Sequence, residues 1–169
     1  GYLQDDPAGM VMDFLLEDGA CGVLEQVAIN DLAQHPPSSQ AYVYLSESKL
    51  CRGDVEGALA AAREGFERVG DNPGGRLAMA FVELAQGHGD AALESFRQAT
   101  SDPSSSERVF GPAFGAVAHG DLASARSVLF ELRRRNVHIP RPLLSAAGLD
   151  LWMSPCDCRS PVTAPIIGV

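Results

Sequence analysis

Apolar residues recur in this chain at helical spacing, broken by glycine and proline, and the pattern predicts nine helices with short connectors. They are expected near Pro7–Glu17, Val23–Gln34, Ser39–Cys51, Val55–Val69, Gly75–Gln86, Asp90–Thr100, Glu107–Ala118, Leu122–Asn136 and Arg141–Met153. Pro36-Pro37 and Asn72-Pro73-Gly74-Gly75 act as stops, because proline restrains the residue before it and glycine is a poor helix former. Asp102-Pro-Ser-Ser-Ser-Glu forms a further turn, in which Ser104 or Ser105 can cap the next helix. From Ser154 the character changes. Pro155, Pro161 and Pro165 forbid regular helix, while Val162, Ile166, Ile167 and Val169 favour an extended tail: a linker, the first strand of something downstream, or a segment that folds back into the groove.

Two of the helical pairs superpose at a shift of 34 residues, 39–72 on 73–106. Gly53-Asp54 is followed by Ala58, Ala62 and Gly65, and Gly87-His88 by Ala92, Phe96 and Ala99 at the same offsets. A third unit places Gly120-Asp121 one residue early and continues with Ala125, Leu129 and Leu132. The glycines let the first helix of each pair end in a left-handed turn, and Ala58, Ala92 and Ala125 mark where the paired helices approach most closely. A single pair cannot bury its own apolar face, so the repeat predicts stacked pairs sharing one core.

With those residues placed, the chain resembles the tetratricopeptide repeat family over about residues 5–137. Tyr42, Leu45, Ser46, Gly53, Asp54 and Ala58 match the family pattern in one unit, and Met79, Ala80, Gly87, Ala92, Phe96 and Ala99 in the next. Gly120, Asp121 and Ala125 match in a third, where Pro112 departs from the expected leucine. Gly19, Leu24, Ala28 and Pro36 fit a degenerate first unit. The resemblance implies an all-α, right-handed solenoid of about four helical hairpins over 1–153, with units near 5–38, 39–72, 73–105 and 106–138. Helix 141–153 would cap the final hairpin, and 154–169 would form the tail.

The resemblance also implies a concave groove lined by the first helix of each hairpin. In successive units those positions are Gln40, Val43, Glu47, Leu50 and Cys51; Gly74, Leu77, Phe81, Leu84 and Ala85; and Glu107, Phe110, Phe114, Val117 and Ala118. Val43, Glu47, Leu50, Leu77, Phe81, Leu84, Phe110, Phe114 and Val117 are the candidate partner-binding residues. Family members that clamp a chaperone's C-terminal carboxylate use Lys and Asn at such positions. Val43, Glu47, Leu77 and Phe81 stand there in this chain, so an apolar helix or peptide suits the groove better. The same residues also suit a core, because a solenoid helix is buried on more than one side. The recurrence of Phe81 and Phe114 one unit apart favours the groove for those two.

Composition narrows the function. The 169 residues are 46% hydrophobic and 21% charged, enough for one domain with a substantial core. A net charge of −9 repels polyanions, so nucleic acid and anionic membranes are not expected partners. Arg133-Arg134-Arg135 completes a helix C-terminus, where positive charge is favourable. No apolar run approaches the length of a membrane span, and no export signal is visible in the chain as given, which favours a cytoplasmic placement.

Chemistry is sparse. There is no phosphate loop, nucleophile elbow or zinc-protease helix, and His35, His88, His119 and His138 lack ligand spacing. Cys156-Asp-Cys158 could hold a soft metal or a redox pair but has no further ligands nearby, and Cys21 and Cys51 are expected as small buried apolar residues. The sequence therefore predicts a non-enzymatic scaffold or adaptor without cofactor or metal, which binds another protein or peptide. The alternatives are the repeat region of a larger enzyme, such as a glycosyltransferase, and self-assembly through the groove or tail.

Overall fold

A computed structural model describes residues 20–149. The expected helix at Pro7–Glu17, the Cys156/Cys158 pair and the tail from Ser154 lie outside the described residues. Eight α-helices and one short 3-10 helix are the regular elements of the described residues, with no strand among them. They are α1 (Cys21–Gln34), α2 (Ser39–Cys51), α3 (Val55–Val69), α4 (Pro73–Ala85), α5 (Gly89–Ala99), the 3-10 turn Ser106–Phe110, α6 (Gly111–Ala118), α7 (Leu122–Arg134) and α8 (Arg141–Ala146).

Local chemistry sets the ends of these helices. The side chains of Ser38, Asp54, Asn72 and Asp121 accept from the backbone N–H groups of Ala41, Gly57, Gly75 and Ser124 at 2.9–3.2 Å, so each satisfies a donor that the first turn would leave unpaired. The first helix of each hairpin stops at a glycine in the left-handed region, Gly53 and Gly87 at φ 78° and Gly120 at φ 76°. In all three, the glycine N–H bonds the carbonyl three residues back, and the next N–H reaches five residues back: Asp54 to Lys49, His88 to Glu83 and Asp121 to Ala116. This double closure ties off the last carbonyls and turns the chain into the second helix.

Two expected helices differ. The span Glu107–Ala118 divides into the 3-10 turn and α6, because Pro112 has no N–H to continue an α-helix from the preceding turn and sits instead in the first turn of α6. Arg141–Met153 is also cut short. α8 ends at Ala146, and the same double closure follows it: the N–H of Gly148, at φ 68°, bonds the Ser145 carbonyl, and that of Leu149 bonds the Leu144 carbonyl.

Each hairpin packs its two helices together, α2 on α3, α4 on α5 and α6 on α7. α4 also lies against α2 and α3, α5 against α6, and α1 against α2. Ala58, Ala92 and Ala125 are fully buried, as close helix approach requires. Gly65 permits the same approach, since a Cβ there would lie 2.9 Å from that of Tyr42. At Gly89 the neighbour is backbone: a Cβ would meet the Ala118 carbonyl oxygen at 2.2 Å. α2 is buried on every side from Ala41 to Ser48, and its hydroxyls are satisfied internally, Ser46 by the Ala58 carbonyl and Ser48 by the Leu45 carbonyl.

The largest core cluster runs from Phe81, Phe96, Phe110 and Phe114 to Ile139, Leu143, Leu144 and Leu149. α8 shares the core cluster with Phe110, Phe114, Leu129 and Leu132 of the final hairpin, and it also lies against α2 and α4, the first helices of the two preceding hairpins. The Arg126 guanidinium on α7 donates to the Ala147 carbonyl at 2.7 Å and holds the end of α8 in place. At the other end of the chain, Cys21 and Cys51 form a disulfide with Cα atoms 6.0 Å apart, rather than serving as separate apolar side chains. One turn along α1, Glu25 pairs with Lys49 at 2.9 Å and with Arg52.

Candidate functional site

A cavity of about 390 Å³ opens between the C-terminal ends of α2, α4 and α6 and the side of α8. Its floor repeats with the hairpins. Leu50, Leu84 and Val117 line it from one equivalent position, and Cys51, Ala85 and Ala118 from the next. Val55, Gly89 and Leu122, the first residues of the second helices, add a third ring. α8 contributes Arg141, Pro142, Ser145 and Ala146 as the facing wall.

Five of the nine candidate residues line this cavity: Glu47, Leu50, Phe81, Leu84 and Val117. Val43, Leu77, Phe110 and Phe114 do not. Val43 is buried between hairpins with Ala62 and Ala78, and Leu77 and Phe110 pack on or in the main core. Phe81 and Phe114 are not solvent-facing anchors, contrary to what their recurrence suggested. Phe114 is fully buried, stacked on Phe96 with ring centroids 4.4 Å apart, and Phe81 is 2% exposed and tilted against it at 6.0 Å. Phe114 turns inward onto the ring of Phe96 of α5, and Phe81 packs in turn on Phe114.

Sequence reasoning missed the third ring and the α8 wall. Val55, Gly89 and Leu122 stand at equivalent places in the three units, so extending the repeat across the turn could have found the ring. Local pattern marks α8 as a helix but not as a wall of the cavity, since its place depends on contacts with helices far back in the chain.

The cavity is apolar for most of its wall, with one acid, Glu47, which is 6% exposed, and one base, Arg141. Beside it, a charge cluster secures the end of α2. The hydrogen bond from Lys49, joined by Arg52, holds the Glu25 carboxyl below its usual range despite burial. The bond to Glu25, helped by Asp54, holds Lys49 above its own. Asp54 is lowered chiefly by the Gly57 N–H it caps. Among the described residues there is no group of three or more His, Cys, Asp or Glu able to hold a metal, and no helix is long and apolar enough to cross a membrane. No family model, curated protein or solved structure matches the chain.

Proposed function

We propose that this chain is a helical-repeat solenoid of the tetratricopeptide kind and serves as a non-enzymatic scaffold, taking an apolar helix or peptide of another protein into the groove formed by α2, α4 and α6. The observation that carries this reading is the cavity floor, where three successive hairpins present residues from the same repeat positions: Leu50, Leu84 and Val117. An apolar cleft of this size with a few polar groups suits side-chain anchors. The Cys21–Cys51 disulfide favours an oxidising compartment over the cytoplasmic placement expected from the sequence.

The test is a comparative pull-down. The intact chain and a Leu84→Asp/Val117→Asp variant serve as baits, and bound proteins are quantified by mass spectrometry. A partner bound by the intact chain and lost from the variant, with melting little changed, supports the groove. Identical captures from both baits refute it.

A further inference from the structure

We propose that α8 is an internal ligand of the groove, and that the groove's external partner is an amphipathic helix with adjacent leucines like those of α8, longer than α8 and able to displace it. The inference rests on the scaffold reading above and names the class of partner. Leu143 and Leu144 are buried at 0% and 3% exposure, in the core cluster that includes Phe81. α8 lies against α2 and α4, which form the groove, so this chemistry already occupies the surface in cis. With six residues, α8 is too short to hold a helix unaided and depends on docking for its structure.

Its fit is incomplete. The cavity of about 390 Å³ remains between α8 and the rings of Leu50, Leu84 and Val117. The wall that α8 turns to it is small or polar, Pro142, Ser145 and Ala146 beside Arg141. A longer helix that keeps the leucine pair but carries large apolar residues at the equivalents of Ser145 and Ala146 fills this space and gains contacts that α8 lacks. Residues 135–140 connect α7 to α8, and the Arg126 bond to the Ala147 carbonyl ties the C-terminal end of α8 to α7.

A fluorescein-labelled peptide of residues 137–149, titrated by anisotropy, tests the proposal on the full chain. A cis ligand lowers the apparent affinity of a trans competitor by the fraction of grooves left open. Leu143→Ser/Leu144→Ser, which weakens the cis copy, should therefore bind the peptide at least tenfold more tightly than the unaltered chain. A peptide carrying the same two serines should not bind. Circular dichroism and melting establish that the variant is folded; should it not fold, Arg126→Gln, which loosens the bond to the Ala147 carbonyl and leaves Leu143 and Leu144 in place, should still raise affinity severalfold. Equal affinity for wild type and a folded variant overturns the proposal. So does binding of the serine peptide, or dimerisation seen by light scattering without peptide binding, which would make a second copy the occupant. Failure of the scaffold reading alone looks different: the peptide binds as expected while both pull-down baits capture the same proteins.

Discussion

Replacing Phe114 by alanine gives the most direct test of how the core and the cavity divide the repeat positions. Phe114 is fully buried, stacked on Phe96 and tilted against Phe81. Removing such a ring costs about 3–5 kcal/mol, combining lost transfer energy, lost ring contacts and the void left behind. At roughly 2–4 °C per kcal/mol for a domain of this size, the melting temperature should fall by about 6–20 °C. Val117, three residues further along α6 and half-buried on the cavity wall, sets the contrast. Val117→Ala removes about two methylene equivalents at half burial, near 1 kcal/mol. Urea unfolding followed by circular dichroism measures both, with unchanged slopes as the check that the compared states are the same. A loss below about 1 kcal/mol for Phe114→Ala, or equal losses for the two variants, would refute the division.

Three further outcomes follow from the helix ends. Joining Cys21 to Cys51 closes a loop with a sequence separation of 30, so Cys21→Ser/Cys51→Ser should cost about 3–4 kcal/mol; non-reducing peptide mapping that finds the two as separate thiols would contradict this. His88 holds the same backbone conformation as the caps Asp54 and Asp121 but makes no side-chain cap, so His88→Asp should stabilise by about 1 kcal/mol, and an unchanged melting midpoint would count against it. Glu25 titrates lower in the folded chain, so its contribution is complete above the ordinary value near 4.5 and is lost as pH falls through the depressed folded value. Lys49 titrates higher, so its contribution is complete below about 10.5 and is lost as pH rises through the elevated one. Glu25→Gln should flatten both limbs of the stability-against-pH curve relative to wild type, and parallel curves would show that the cluster contributes nothing.

Local elements were readable from the residues. Ser39–Cys51 and Val55–Val69 form where expected, because Asp54 and a glycine in the left-handed region fix the turn between them without help from distant contacts. Gly148 supplies the same signal and ends α8 early. In the sequence that signal is masked, because Leu149, Leu151 and Trp152 continue the apolar spacing beyond it. Pairing was not readable: the spacing of Cys21 and Cys51 says nothing about which sulfurs meet, and α1 must first lie on α2. The cavity was legible as far as the repeat reached, through Leu50, Leu84 and Val117. The sequence could not separate Phe114 from that set, since whether an aromatic faces a groove or a neighbouring ring depends on Phe96, a residue of another helix.

The return of α8 to α2 also changes how the molecule comes apart. A row of hairpins in which each touches only its neighbours unravels from either end, one unit at a time. Here the last described helix rests on α2 and α4, so it cannot peel away without uncovering the start of the row, and α2 cannot loosen without releasing α8. The energetics of the two ends are thereby joined, and unfolding tends toward a single cooperative event. The same long-range contact must wait for the intervening chain to order, which makes docking of α8 a late step in folding.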